Sequence, residues 1–276
     1  LNDAFPASLP APLAALQQIA TGYSKMSSVL LALIFKDYKG RSSKGAIALL
    51  GSLLQPLVRT IFFSTLWYLT GRTAFHGVPS FIYIAAGVFP YMMIFVALRK
   101  LPSAIASNQA MLGFPQVKPI DALLSRFTVE IMTLITAFGL FMFVLYWFFG
   151  ISEHMREPLH VIGIFVMTLL MALGIGLLVG VYGHLFNGLR TALSFATLPI
   201  FFTSGALHPV TGLATEVREL LSWNPVFHVV EYTRHYWFGT RLVPEHDFEY
   251  LAMFTLGVLG FGALAYYNNR IALVQR

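Results

Sequence analysis

Long apolar runs constrain this chain more than any other feature of it. A helix crosses a bilayer when about 20 consecutive residues are mostly apolar, because each residue rises 1.5 Å and the hydrocarbon core is about 30 Å thick. Five runs meet this length: Ala46–Leu69, Ser80–Leu98, Phe127–Phe149, Val161–Phe186 and Tyr250–Tyr267. A sixth, Thr191–Leu207, is slightly short and contains Pro199. Pro56 and Pro90 sit inside the first and second runs, and proline is tolerated in a membrane helix where neighbours satisfy the freed carbonyl. Composition agrees, since 57% of the chain is hydrophobic and 11% is charged, against about 25% charged in soluble domains. The expected fold is an all-α membrane protein of six transmembrane helices packed as one domain.

Basic residues set the expected orientation, because cytoplasmic loops of membrane proteins carry an excess of Lys and Arg. Lys25, Lys36, Lys39, Arg41 and Lys44 precede the first run, and Arg99, Lys100, Lys118 and Arg126 lie between the second and third. Arg190, Arg270 and Arg276 fall on the same side. The other side holds Arg72, Arg156, Arg218, Arg234 and Arg241, together with most of the acids. Both termini are therefore expected in the cytoplasm. The net charge of +6 has the same origin, and no basic stripe with interleaved aromatics points to nucleic acid. Residues 1–24, rich in small residues and proline, read as a mobile cytoplasmic tail.

Three segments are patterned without being spans. In 25–45, Val29, Leu30, Leu33 and Ile34 recur at helical spacing ahead of Lys36, Lys39 and Arg41. This fits an amphipathic helix on the inner leaflet, the alternative being an extension of the first span. The connection 99–126 is expected on the cytoplasmic side. Ala104–Leu112 can form a short helix, and Phe114-Pro115-Gln116-Val117-Lys118-Pro119 then forces an extended turn, because each proline biases its predecessor away from helix. It can present Met111, Leu112, Phe114 and Val117 to a partner, or tuck against its own bundle. The external connection 207–249 holds two helical patterns, Thr211–Trp223 and Val226–Phe238, broken at Asn224-Pro225. They are too short to span, so they form either a re-entrant hairpin buried in protein or one resting on the outer leaflet.

The chemistry legible here is sparse. There is no cysteine, which excludes disulfides, Cys-ligated zinc and a thiol nucleophile. No GxxxxGK[ST] loop appears, and the glycine clusters Gly174-Ile175-Gly176 and Gly257–Gly262 lie inside apolar runs, where small residues allow helices to approach. No catalytic constellation and no metal site are predicted. His228, Glu231 and His235 share a helix face, which reads as a polar, water-facing stripe rather than a zinc site, with Glu231 and Arg234 paired at i, i+3. Arg59, placed near the middle of the first run, and Glu130 are the sharper signals, because a charge at membrane depth costs about 2.5–3.5 kcal/mol on insertion scales. Either they form a structural pair, or Arg59 faces a permeation path.

Four stretches resemble a known family. They are Asp37…Gly40-Arg41-Ser42 with Leu53-Leu54-Gln55-Pro56; Ala86-Gly87-Val88-Phe89-Pro90-Tyr91…Phe95; Pro115-Gln116-Val117-Lys118-Pro119-Ile120-Asp121…Arg126…Glu130; and Ser204-Gly205…Trp223-Asn224-Pro225…His228…Glu231…Arg234. Together they resemble the membrane subunit of type-2 ABC exporters, specifically the capsular-polysaccharide (Kps-type) export permeases. The resemblance implies a homodimer of permeases in the bacterial inner membrane, forming one channel for an acidic, lipid-linked polysaccharide. It implies two copies of a separate nucleotide-binding ATPase subunit, which would carry the ATP and Mg, and a periplasmic polysaccharide co-polymerase or adaptor; this chain would need no cofactor. It implies coupling to the ATPase through Met111, Leu112, Phe114, Pro115, Val117, Lys118 and Asp121. A substrate path would run past Arg59, Phe63, Trp67 and Tyr68. An external re-entrant gate would be built from Trp223, Asn224, Pro225, His228, Glu231 and Arg234. O-antigen, teichoic acid or a small molecule would be alternative cargoes of the same class. A secondary transporter would instead show internal repeats, and none is visible.

Overall fold

The computed structural model describes residues 27–40, 46–151 and 153–275. The expectations for 1–24, and for the ends of the 25–45 segment, lie outside these residues. Among the described residues nearly everything is helical, in keeping with an all-α membrane protein. Residues 27–40 form α1. The main helices follow as α2 (Ala46–Leu69), α3 (Ser80–Lys100), α6 (Pro119–Phe149), α7 (Pro158–Leu185), α8 (Asn187–Thr203) and α11 (Phe248–Asn269). Short helices fill the connections: α4 (Ala104–Ser107), α5 (Gln109–Leu112), α9 (Thr215–Ser222), α10 (Pro225–Phe238) and α12 (Ala272–Gln275). A two-residue-per-strand hairpin, β1 (Ala74–Phe75) with β2 (Val78–Pro79), turns through His76 and Gly77, both at positive φ.

α3 is the hub. Its sequence is apolar on every side, so protein or lipid must cover all of it; from Ile82 to Leu98 every residue is inside, packed by α2, α6, α7, α8 and α10. α11 is the opposite case. Only Leu251, Thr255, Gly262 and Ala265 are buried along it, while Met253, Leu256, Phe261 and Leu264 stand exposed. A water-soluble protein rarely leaves so large an apolar face open, whereas lipid is its natural solvent. α7 and α11 meet at glycines. A Cβ on Gly174 would fall 2.7 Å from the backbone of Val258 and Leu259, and one on Gly262 would fall 2.7 Å from the Gly174 carbonyl oxygen. The small residues thus permit a backbone contact that no larger side chain allows.

Four of these helices are long and apolar enough to cross a membrane: Ser80–Ser107, which continues α3 through a 3₁₀ turn and α4, then α6, α7 and α11. α6 is longer than a bilayer requires. Its 31 residues reach about 46 Å at 1.5 Å each, some 16 Å more than the hydrocarbon core. The third apolar run therefore starts at Pro119 rather than Phe127, because Pro119 at the first helical position and the Asp121 carboxylate, accepting the Lys118 backbone N–H at 2.8 Å, start the helix two turns early. The Ala104–Leu112 helix is in turn broken in two at Asn108. Most of 99–126 is thus helix, and only 113–118 links α5 to α6.

Candidate functional site

At the basic end of the bundle, α1 lies across the α5–α6 link and encloses a groove of about 1090 Å³. Six of the seven residues expected to couple to a partner line it: Met111, Phe114, Pro115, Val117, Lys118 and Asp121. Val29, Leu33 and Lys36 form the α1 wall. Leu112 turns away and packs against the core. The six differ in kind. Phe114 stands out at 59% exposure, free to meet another surface, whereas Asp121 is buried as the cap of α6.

A polar clasp holds α1 over this groove. Lys36 Nζ donates to Asn108 Oδ1 at 2.8 Å, and Asn108 Nδ2 donates to the Ala104 carbonyl at 3.0 Å. Beside it, Arg126 lies 3.6 Å from Asp37 of α1 and 3.2 Å from Glu130 one turn along α6. The Arg59–Glu130 pair weighed from the sequence is therefore not formed; Glu130 is engaged by its i, i+4 neighbour. Asn108 has no role assigned from the sequence, although an Asn inside the pattern Ala104–Leu112 is a signal, since its side chain competes for backbone bonds.

Arg59 is held by rings. Its guanidinium carbon sits 4.6 Å from the Phe95 centroid, 5.3 Å from Phe201 and 5.9 Å from Tyr91, with Nη1 3.7 Å from Met92 Sδ. Those α3 partners lie 5–9 residues from the end of α3 at Lys100, about 7–14 Å along the helix axis, while Arg59 itself stands near the middle of α2. Phe63 and Trp67 continue its stripe on α2, against Phe201 at 5.3 Å and Phe75 at 5.7 Å. Tyr68 lies on the next face, near Phe81 and more than half exposed.

The opposite end is closed by α9 and α10. Asn224 caps α10, its Oδ1 accepting the Val226 N–H at 3.0 Å, while its Nδ2 donates to the Ile200 carbonyl and Thr203 Oγ1. Pro225 occupies the first helical position and Trp223 projects at 79% exposure. The water-facing stripe expected on α10 is overturned: His228 and Glu231 are buried, because α10 wedges between α3, α7 and α11. His228 is satisfied at both nitrogens, Nδ1 accepting the Asp247 N–H and Nε2 donating to the Ser222 carbonyl. Glu231 does pair with Arg234, at 2.8 Å, but in the core. Arg234, at 0% exposure, also donates to the carbonyls of Gly205, Ala206 and His208 and lies 4.1 Å from the Tyr83 ring. It ties the chain leaving α8 to α10 and α3. In the loop that follows, a bidentate contact from Arg218 holds the Glu245 carboxyl below the usual carboxylate range. Burial pushes the His246 imidazole down to about 4 where it stacks on Phe227.

Comparison with known proteins meets this geometry. Residues 28–238 match the family described as ABC-2 type transporter. The chain belongs to that family. Relatives among characterised proteins are similar over nearly their whole length. The polysialic acid transport protein KpsM of Escherichia coli is 26% identical over 91% of this chain and 96% of its own. The capsule polysaccharide export inner-membrane protein BexB of Haemophilus influenzae is 25% identical over 87% of this chain and 90% of its own. CtrC of Neisseria meningitidis, also a capsule polysaccharide export inner-membrane protein, is 24% identical over 85% and 88%. The ABC-2 match runs from α1 to the end of α10, so it takes in the groove, the Arg59 cage and the opposite end capped by α9 and α10 alike.

Proposed function

We propose that this chain is the membrane permease subunit of an ATP-driven ABC-2 exporter that moves a capsular polysaccharide across the bacterial inner membrane. The observation that carries this reading is the likeness over 91% of the chain and 96% of its relative to a polysaccharide transport protein. α2, with 24 residues, and α8, with 17, add two spans of about 36 and 26 Å to the four longer ones, for six in all. Both termini and the groove then face the cytoplasm, α1 lies on the inner leaflet, and α9–α10 form an outer re-entrant pair.

ATP and Mg belong to a separate ATPase present in two copies, which serves a permease homodimer. The groove supports this reading because its most exposed ring, Phe114, sits on the non-helical α5–α6 link, where a docking surface can move it. Force on 113–118 would pass through the Lys36–Asn108 contact and the Asp37–Arg126–Glu130 chain to α1 and α6. The substrate path would follow α2 past Arg59, Phe63, Trp67 and Tyr68. At the outer end, Trp223 is the exposed contact, while Asn224, Pro225, His228, Glu231 and Arg234 keep that end rigid. A periplasmic adaptor would receive the polymer there.

Expression in a strain that lacks its own capsule-export permease tests the reading. Restored surface polysaccharide, with an ABC ATPase copurifying from detergent extracts, is the expected result. Export that persists when every copurifying ATPase is removed would overturn it.

A further inference from the structure

We infer that Arg59 and Arg99, which share the ring of Phe95, form a binding site for the phosphate of an amphiphile resident in the cytoplasmic leaflet. The inference rests on the orientation proposed above, and it concerns a head group rather than the polymer. Both guanidinium carbons lie close to one ring centroid, Arg59 at 4.6 Å and Arg99 at 5.5 Å. Aromatic faces steady a cation, but they do not neutralise it.

No carboxylate among the described residues can neutralise it either. Asp37, Asp121 and Glu130 are the acids described at this end. Asp37 and Glu130 are taken by Arg126, and Asp121 caps α6. Tyr91 donates its hydroxyl to the Thr197 carbonyl at 2.8 Å while its oxygen accepts from Arg59, a neutral partner that leaves the charge in place. Two positive charges thus remain close together at a depth where solvent screens them poorly, and a charge there is normally matched by a partner. Arg99 is exposed near the basic end of α3, and Arg59 is half-buried. An anion reaching both must carry its charge into the leaflet from the head-group plane. A phosphate ester on a lipid does so, and its several oxygens match two guanidinium forks better than a single carboxylate does.

Two sources share this chemistry, the bilayer's own anionic phospholipid and a phosphate-linked glycolipid. The full-length chain, purified with its copurifying partners, would be titrated with dioleoylphosphatidylglycerol, a lipid-phosphate-hexose and dioleoylglycerol, and retention read by native mass spectrometry. The two phosphate lipids should bind and dioleoylglycerol should not. Arg59→Gln and Arg99→Gln should each weaken phosphate-lipid binding about tenfold, the loss of one charged hydrogen bond. Phe95→Leu should weaken it less, and Arg59→Lys should keep most of it; these two variants carry the test if Arg59→Gln does not fold. Loss on both phosphate lipids assigns the site to phospholipid, and loss on the glycolipid alone assigns it to the glycolipid; either supports the site. Unchanged binding in all four variants, or equal binding of dioleoylglycerol, overturns it. Failure to restore capsule would sink the proposed function while leaving this binding result standing.

Discussion

At the scale of single residues, Arg234 shows how burial reverses the meaning of a charge. In the sequence it counts as a loop arginine, yet it is fully enclosed, paired with Glu231 and bonded to three carbonyls. Removing one member of a buried pair strands the other, at a cost of about 3–5 kcal/mol. Arg234→Ala should therefore lower the detergent melting temperature sharply and shrink the folded peak in size exclusion. Arg234→Met with Glu231→Leu should recover part of the loss, since it strands no charge; a double variant as unstable as Arg234→Ala would mean that the carbonyl contacts, not the pair, hold the turn. His246 is the titratable counterpart. Folded, its imidazole is neutral with a pKa near 4; unfolded, it would titrate at about 6.5. Between those values the unfolded chain binds a proton that the folded chain does not, so the stability it contributes is whole above about 6.5 and lost as pH falls toward 4. Glu245, depressed by Arg218, acts in the same direction at lower pH. Hydrogen exchange in 239–247 should rise as pH drops below about 6 once the intrinsic rate is corrected for, and His246→Phe should flatten that rise.

At the scale of elements, contact geometry rather than hydrophobicity sets tolerance. α7 and α11 are apolar enough that substitution of most of their outward residues should do little. Gly174 and Gly262 are the exception, because the obstructing atoms are backbone and cannot rotate away. Gly174→Ala should cost about 1–3 kcal/mol as the helices are pushed apart, whereas Gly257→Ala, which meets open space, should be neutral on the same melting curve. The α5–α6 link makes the complementary prediction. Phe114 is exposed and carries little packing, so Phe114→Asp should leave the permease folded. It should still abolish most substrate-stimulated ATP hydrolysis in the assembled exporter; unchanged coupling would remove this link from the docking surface.

At the scale of the whole molecule, the bundle has one dry helix and a ring of half-dry ones. α3 is enclosed on all sides, and α6 and α11 turn apolar faces outward. That gradient is how a membrane domain packs when lipid, not water, surrounds it. Orientation follows from charge alone, so it has a separate test. A reporter after Arg276 should resist membrane-impermeant reagents added from outside, while a cysteine at exposed Trp223 should react; labelling at the first and protection at the second would invert the assembly.

The sequence by itself determined the class of fold, the approximate place of each long helix, the helical break at Asn224-Pro225 and the i, i+3 pairing of Glu231 with Arg234. These are local matters of run length, proline chemistry and spacing, written in neighbouring residues. Tertiary structure alone decided what surrounds Arg59 and which polar side chains are buried. Arg59 settles among Phe95, Phe201 and Tyr91, and His228 and Glu231 turn inward, because α3, α8 and α10 are brought against residues distant in the chain. It also decided that Asn108 joins α4 to α1. A hydrogen bond across 72 positions leaves no periodic trace, since its geometry comes from how helices pack and not from either segment's own pattern.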